Sequence, residues 1–224
     1  MQVRLPISRW SAWPSVEAGA REQCALPQVR FVDPMLRRRL GPLARILLHV
    51  AHECAADRPS VRLVLASQHG ELSYTLAALR ALAAGEPVSP TLFSLSVHNS
   101  AAGIFSILRR DRAPSTAIAA GEETLGHALL EAHCQLDDGE EPVLMVYGDA
   151  MLPEEYRSFA ERPEPGRALA VLLARDAART TTLEASAAGG AVSSPEPQAD
   201  AFFKHLADAR PGGWTGVQRS WTWH

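Results

Sequence analysis

Residue types that could do chemistry follow two apolar runs of the sequence. In the first case Ser67, His69 and Glu71, in the segment SQHGE, come directly after the run VRLVLA. Because sites in α/β folds cluster at the carboxyl ends of parallel strands, this placement favours a hydroxyl–imidazole pair for hydrolysis. Adjacent residues of an extended segment point to opposite sides, however, and no oxyanion-binding device is evident. A stand-alone acyl thioesterase or acyltransferase that uses Ser67 and His69 is therefore an alternative.

The second case is the segment AIAAGEETLG, which joins another apolar run to a helical pattern. The run ends at Gly121, and two carboxylates, Glu122 and Glu123, stand where the helix begins. Carboxylates are favoured in a first helical turn, because free N–H groups and the helix dipole attract negative charge. That preference explains both acids, but it leaves the lack of bulk at Ala119 and Ala120 unexplained. A small-residue turn from a strand into a helix is also where enzymes hold a nucleophile.

Single polar residues at other element ends have several possible roles. Asp149 follows the run VLMVYG and could cap a turn or contact a ligand. His98 could line a pocket, whereas Asn99 is better placed to cap the helix that follows. His49 and His52 lie one helical turn apart, as metal ligands can, but a third ligand is lacking and we predict no metal site.

The elements that must position these residues alternate along the chain. The predicted helices are 34–56, 71–87, 97–110, 122–136 and 201–209, and the predicted strands are 3–10, 61–67, 115–120, 142–148, 167–175 and 215–224. Residues 88–96 are predicted as a loop or short strand, and 179–200 as a flexible loop because Ala, Ser, Thr, Gly and Pro dominate there. The alternation is typical of a layered α/β fold with a mixed, mostly parallel sheet between helices.

Composition and charge exclude several classes of function. The 224 residues are 46% hydrophobic and 21% charged, and the net charge of −3 argues against a nucleic-acid partner. Apolar runs are too short for a membrane span, and no export signal is evident, so we expect a cytoplasmic protein. Without a P-loop or a dinucleotide fingerprint, we expect no cofactor. Cys24, Cys54 and Cys134 lack metal-like or redox-like spacing and are predicted to be reduced and mostly buried.

Four segments, in the same order, resemble the N-terminal half of a β-ketoacyl synthase, a condensing enzyme of the thiolase fold. The helix before its first catalytic-domain strand looks like LRRRLGPLARILLHVAHECAAD, and that strand with its glycine turn looks like VRLVLASQHGE. Its dimer-interface helix is similar to PTLFSLSVHNSAAGIFSI, in which Asn99 stands shortly before Ala102 and Gly103. Its strand, nucleophile elbow and buried helix are similar to APSTAIAAGEETLGHALLEA. The resemblance implies a thiolase-like half-fold in one domain, 1–224, with a core at roughly 30–176.

More narrowly, two segments resemble the short ketosynthase-like chain length factors of aryl polyene pigment clusters, such as the xanthomonadin type. They are GEPVSPTLFSLSVHNSAAGIFSI and TAIAAGEETL. An active ketosynthase has a cysteine at its elbow, and Glu122 stands at that position here. A carboxylate is a weak nucleophile toward a thioester, and its charge opposes the oxyanion that must form. The two active-site histidines of a ketosynthase lie in its C-terminal half, and the segments around His205 and His224 do not resemble their motifs.

The resemblance implies a non-catalytic chain length factor that pairs with an active β-ketoacyl-ACP synthase. It would shape the partner's acyl tunnel during polyene or fatty-acyl-like chain extension, with acyl carrier protein as an indirect partner. The residues implied to lie at the interface or tunnel are Val97, His98, Asn99, Ser100, Ile104, Ser115, Thr116, Ala117 and Ile118.

Within that set, Val97, Ser100 and Ile104 are expected on one helix face, so that Ser100→Trp should shorten the product. Residues 115–120 are expected to extend the partner's sheet across a two-fold axis. Two alternatives remain at this point. One is a stand-alone enzyme that uses Ser67, His69 or Glu122, and the other is a self-associating structural protein without acyl contact.

Overall fold

Eight strands lie in one sheet within the residues that the computed structural model describes, which are 1–14, 25–139, 141–159, 166–190 and 193–224. The strands are β1 (Gln2–Trp13), β2 (Arg62–Ala66), β3 (Ser115–Ile118), β4 (Val143–Asp149), β5 (Arg167–Leu173), β6 (Arg179–Ala187), β7 (Gly212–Thr215) and β8 (Arg219–Trp223). Across the sheet their order is β3-β2-β4-β5-β1-β6-β8-β7. The strand β3 therefore lies at one edge, and β7 at the other.

The helices begin and end near signals that the sequence carries. They are α1 (Pro34–Arg37), α2 (Pro42–Ala55), α3 (Leu72–Ala83), α4 (Pro90–Ser96), α5 (Ser100–Arg109), α6 (Thr124–Asp138) and α7 (Gln198–Asp208), with a 3-10 helix at Glu154–Phe159. Proline stands at the start of α1, α2 and α4. Its missing N–H costs nothing in a first turn, because that group has no partner within the helix.

The sheet is mixed, as predicted, but it is not mostly parallel. Only the pairs β2–β3 and β2–β4 are parallel, and the other five neighbouring pairs are antiparallel. The long strand β1 pairs with β5 over its second half and with β6 over its first half. In the described part of the chain, no crossover α-helix joins β4 to β5 or β7 to β8, and direct connections give antiparallel neighbours.

Helices cover both faces of the sheet, which confirms the layered α/β arrangement. Successive residues of β4 show the alternation: Leu144 and Val146 pack with α2 and α5, whereas Val143, Met145 and Tyr147 pack with α6 and α7. Because strand side chains alternate between faces, a strand covered on both sides must be apolar at every position. This explains the continuous apolar runs of the sequence.

Two predicted loops are regular elements in the structure. Residues 90–96 form α4 instead of a loop or short strand, and the helix predicted at 97–110 begins only at Ser100. The prediction of a loop at 179–200 is wrong for its first part, since β6 occupies 179–187. Thr181, Leu183 and Ala185 alternate inward along β6, but small and hydroxyl side chains hid that pattern in the composition.

The described cysteines differ in burial. Cys54 is buried, as predicted, whereas Cys134 on α6 is exposed. The prediction of mostly buried cysteines therefore fails for Cys134, whose helix turns that position away from the core. Cys24 lies outside the described residues.

Candidate functional site

The corner between β3 and α6 is a tight turn closed by a threonine. Gly121 has a φ of +59°, a left-handed conformation that favours glycine. The hydroxyl of Thr124 donates to the carbonyl oxygen of Gly121 at 2.6 Å and accepts the N–H of Ala120 at 2.9 Å. The turn itself therefore accounts for the glycine that precedes α6.

The two carboxylates of this corner lie in different surroundings. Glu122, at the position that resembles a catalytic cysteine, is half-buried, whereas Glu123 is only 7% exposed. Oε1 of Glu123 accepts the backbone N–H groups of Gln218 at 3.2 Å and Arg219 at 3.0 Å. Glu123 stands at the N-cap position of α6 but its side chain makes no cap hydrogen bond. Its role is thus to join the corner to the turn between β7 and β8.

The hairpin of β7 and β8 covers the first turns of α6. A Cβ added to Gly126 would lie 2.8 Å from the ring of Trp221, so glycine allows this close approach. His127 contacts the same indole edge-on, with ring centroids 5.4 Å apart. The N–H of Gly126 is bound by Oε1 of Gln198 at 2.9 Å. The side of the corner that faces the hairpin is therefore filled by this chain itself.

The hydroxyl of Ser67 is buried and has two partners. It donates to Oδ1 of Asp149 at 2.7 Å and accepts the N–H of Gly70 at 2.9 Å. The same carboxylate oxygen accepts the N–H of His69 at 3.0 Å, which explains Asp149 as the residue that fixes the loop after β2. A hydroxyl in this arrangement is structural, so the geometry gives no support to hydrolysis by Ser67 and His69.

Glu71, the third polar residue of that loop, is buried against the start of α2. Its Oε1 accepts the N–H of Ala44 at 2.8 Å, which satisfies one of the free donors of a first helical turn. A Cβ added to Gly41 would lie 2.7 Å from Oε2, so only glycine fits there. Burial raises the pKa of Glu71 to about 7, against the opposing effect of the Ala44 hydrogen bond.

His98 holds the bend between α4 and α5. The axes of these helices differ by 99°, and His98 lies at the bend. Its Nε2 donates to the carbonyl oxygen of Ser67 at 2.9 Å, which ties the bend to the loop after β2. Asn99 takes the N-cap position of α5, but its side chain makes no cap hydrogen bond, so the predicted capping contact is not made.

Val97, Ser100 and Ile104 do not share one exposed helix face. Val97 precedes α5 and is 40% exposed, whereas Ser100 and Ile104 are 9% and 8% exposed, and Ile104 packs into the core beside α2. The open side of α5 carries Gly103 and Ile107 instead. Among the described residues, nothing outside the adjoining backbone of α5 itself lies within 4 Å of a Cβ placed on Gly103, and Ile107 is 73% exposed. The face of α5 that is open to another molecule thus carries Gly103 and Ile107.

Three helices together expose an apolar surface that sequence reasoning missed. This α3–α5 surface is formed by Leu79, Leu82, Phe93, Val97 and Ile107. Neither α3 nor α4 contributes a buried residue to the core. The signal was present in α3, which is apolar almost all round, a pattern typical of a helix covered on more than one side. Because α3 packs on α4 and α4 packs on α5, these exposed apolar residues belong to neighbouring helices, as is typical of interaction sites.

The edge strand β3 lies close to this surface. Within the described residues β3 pairs only with β2, and α5 packs on β2. The four residues Ser115, Thr116, Ala117 and Ile118 are partly or fully exposed. The open strand edge and α5, one of the three helices of the α3–α5 surface, therefore lie at the same end of the sheet.

His49, His52 and Cys54 on α2 do not converge. His52 stacks on Phe31, with ring centroids 3.9 Å apart. Cys54 is buried, and desolvation raises the pKa of its thiol to about 12. In the part of the chain that the structure describes, no group of three His, Cys, Asp or Glu residues is arranged to hold a metal ion.

Among the described helices, no single one is long and apolar enough to cross a bilayer, and only the bent pair α4 and α5 passes when joined.

Solved structures share this fold. A complex of the ketosynthase ApeO with its chain length factor ApeC from Xenorhabdus doucetiae contains a chain with a TM-score of 0.84 and 24% identity, matched over 99% of both chains. A chain of the complex AntDE:AntF, a type II acyl carrier protein with its ketosynthase, has a TM-score of 0.57 and 14% identity. The match covers 69% of this chain and 52% of the matched chain. A β-ketoacyl synthase from Burkholderia phymatum STM815 has a TM-score of 0.55 and 12% identity, and the match covers 83% of this chain and 56% of that protein. This chain spans about half the length of the latter two.

A comparison of sequences gives the family. None of the curated proteins matches this chain. In contrast, the family described as β-ketoacyl synthase, N-terminal domain, matches residues 10–224, nearly the whole chain. The chain therefore belongs to the β-ketoacyl synthase N-terminal domain family and has its thiolase-like fold.

Proposed function

We propose that this chain is a non-catalytic chain length factor. It pairs with an active β-ketoacyl-ACP synthase and shapes the acyl tunnel of that partner while a polyene chain is extended on acyl carrier protein. The observation that carries the proposal is the open edge of β3 beside the α3–α5 surface. Both features need a partner, since open edges and exposed apolar patches otherwise promote aggregation.

Main-chain groups of β3 are available for such a partner. In the parallel ladder with β2, Leu63 donates to the carbonyl oxygen of Pro114 and Ser67 donates to that of Ile118. Because alternate residues of a strand bond to opposite sides, Ser115 and Ala117 direct their N–H and C=O groups outward. A strand from a partner can therefore continue the sheet at this edge.

The corner between β3 and α6 fits a protein without condensing activity. Glu122 stands where the resemblance to ketosynthases places the cysteine, and neither Cys54 nor Cys134 can replace it. Cys54 lies buried in α2, where its thiol has a pKa of about 12, and Cys134 lies in the third turn of α6, away from the corner. Among the described residues, a thiolate nucleophile is thus lacking at this corner.

The extent of the structural match supports a role within a heterodimer. The chain matched in the ApeO–ApeC complex is covered over 99% of its length, whereas the matches to the two other proteins cover 52% and 56% of theirs. That complex consists of a ketosynthase and a chain length factor. A non-catalytic corner agrees with the second of these roles, and aryl polyene extension is the chemistry that the sequence resemblance suggests.

Co-expression with candidate ketosynthases is the direct test. We expect a stable heterodimer by size exclusion, and polyene products by mass spectrometry only when both chains are present. Failure of every ketosynthase encoded beside the gene to co-purify would refute the proposal.

Product length tests the tunnel assignment separately. Ser100 is buried, so Ser100→Trp would disturb the core as well as any tunnel. Val97→Trp is the cleaner variant, because Val97 is exposed at the helix bend. We expect shorter products from Val97→Trp and unchanged products from Val217→Trp, which alters an exposed valine on the hairpin. Equal product lengths in both variants would remove Val97 from the tunnel.

A further inference from the structure

A cleft lined by arginines lies beside α1 and the start of α2. Its volume is about 450 Å³, and it is lined by Gln28, Arg30, Arg37, Arg38 and Arg45. No acidic side chain is among these lining residues. The chain as a whole carries a net charge of −3, so four cations in one cleft represent a local concentration and not a general excess.

Among the described residues, none of these four arginines forms an ion pair with a carboxylate, whereas other arginines do. Examples are Arg9 with Asp57 and Arg62 with Glu141. The acid closest in sequence is Asp33, whose Oδ1 already accepts the N–H groups of Met35 and Leu36 at the start of α1. Asp33 lowers the local positive charge by one, so the cleft keeps a clear positive excess.

Two of the arginines are held in place by hydrogen bonds. Arg45 donates from Nε to the carbonyl oxygen of Leu40 at 3.1 Å and from Nη2 to that of Arg37 at 2.9 Å. Its Nη1 takes no part in these bonds. Arg30 donates from Nε to Oε1 of Gln28 at 3.1 Å, and neither of its Nη atoms is used in that bond. Positioned guanidinium forks recognise phosphate oxygens well, because two parallel N–H donors match two oxygens.

Exposed apolar residues flank the arginines in sequence. Leu26, Phe31 and Met35 are all exposed, and Met35 reaches 70%. Phe31 is fixed at the surface by its stacking on His52. Basic side chains interspersed with exposed apolar ones suit the boundary between lipid headgroups and acyl chains, where cations meet phosphate and apolar groups enter the bilayer.

We propose that this arginine cleft binds the phosphate groups of anionic phospholipids and places the protein at a membrane surface, with Leu26, Phe31 and Met35 in contact with the lipid. The cleft is built from other residues than β3 and the α3–α5 surface, so it does not depend on the proposed pairing with a ketosynthase. If the proposed function also holds, lipid binding at this cleft would bring the growing apolar product close to a lipid phase.

Vesicle sedimentation with the full-length chain tests this binding. We expect the protein to bind vesicles of phosphatidylglycerol and phosphatidylcholine, and not vesicles of phosphatidylcholine alone. The double variant Arg37→Gln/Arg38→Gln should weaken binding roughly 25-fold, because each basic residue near an anionic surface contributes about a factor of five in affinity. Arg4→Gln, which removes an exposed charge on β1, is the matched control and should bind like the wild type.

A second set of variants separates the lipid from other sources of phosphate. Met35→Ser should weaken vesicle binding and leave the weak binding of glycerol 3-phosphate unchanged. If the first double variant does not fold, Arg30→Gln/Arg38→Gln replaces it, because both side chains are exposed. Absence of vesicle binding by the wild type, or equal losses in Arg4→Gln, would overturn the proposal. The proposal would also be overturned if the wild type bound an acidic protein but no vesicles, and if the same double variant lost that binding. This result would assign the cleft to a protein partner.

Discussion

The two edges of the sheet are finished in opposite ways. At the β7 edge, Thr215 donates its N–H to the hydroxyl of Ser194 at 2.8 Å, and its carbonyl oxygen accepts the N–H of Ser194 at 2.8 Å. At the β3 edge, the carbonyl oxygens of Pro114 and Ile118 bond to β2. At the β7 edge Thr215 is thus bonded to Ser194 of the same chain, whereas the outward groups of β3 remain open within the described residues.

The surroundings of the two edges also differ in how far apolar side chains are buried. Around β7 and β8, Trp214, Trp221 and Trp223 are buried and Glu123 binds the turn. Beside β3, the helices of the α3–α5 surface leave large apolar side chains in solvent. Since the chain itself provides partners for Thr215 at the β7 edge and none for β3 beyond β2 within the described residues, we attribute the open edge to an assembly in which a partner covers it.

Proline at the open edge should break the assembly most strongly. Ala117→Pro removes an outward N–H without touching a bond to β2, so the chain should fold normally but bind its ketosynthase more than about a hundredfold more weakly. Isothermal titration calorimetry measures the affinity. Thr215→Pro at the covered edge should do the reverse, with a lower melting temperature and unchanged affinity. Equal falls in melting temperature and equal losses of affinity in the two variants would contradict the contrast between the edges.

Glu71 should make the stability of the region around α3 depend on pH, because it joins the loop before α3 to α2. Its folded-state pKa is raised from 4.5 to about 7, so its stabilising effect is complete below pH 4.5 and is lost as the pH rises through 7. This corresponds to a loss of about 3 kcal/mol. Glu71→Gln should remove the loss and unfold at higher urea concentration than the wild type at pH 8. Parallel pH profiles for the two proteins would refute the assignment.

Glu123 should stabilise the hairpin of β7 and β8. Glu123→Ala leaves the N–H groups of Gln218 and Arg219 without their acceptor and should lower the free energy of unfolding by about 2 kcal/mol. Urea denaturation followed by tryptophan fluorescence reports mainly on the hairpin, which carries three of the five tryptophans. Glu123→Gln keeps an acceptor oxygen and should recover most of the loss. A Gln variant as unstable as the Ala variant would show that charge, and not these two hydrogen bonds, holds the hairpin.

Much of the fold was readable in the sequence because buried elements carry strong patterns. The apolar runs of β2, β4 and β5 and the helical period of α6 were placed to within a few residues. The helix predicted at 34–56 is instead two helices, α1 and α2, which are separated at Gly41 and Pro42. The strand β6 was missed because its inward residues are threonine, leucine and alanine, so the alternation is weak. The helix α4 was missed because its seven residues are too few to show a helical period.

The candidate site shows the same division. Glu122, at the position where the resemblance to ketosynthases places a cysteine, can be identified from the sequence, since this requires only the local order of residues. Gln218, a hydrogen-bond partner of Glu123, is 95 residues away, and no local sequence pattern predicts that contact. The exposed face of α5 carries Gly103 and Ile107, whereas Ser100 and Ile104 are buried. This depends on how the helix packs on α2, which the spacing of the residues alone does not determine.

The sequence by itself determined the family, the alternating α/β elements and the absence of a cysteine from the segment that forms the corner, because each depends on residue types in a fixed local order. The tertiary structure decided which strand lies at the open edge, which helices expose apolar side chains and which carboxylate binds the hairpin. These features arise from contacts between residues far apart in the chain, and such contacts form only when the packed layers bring those residues together.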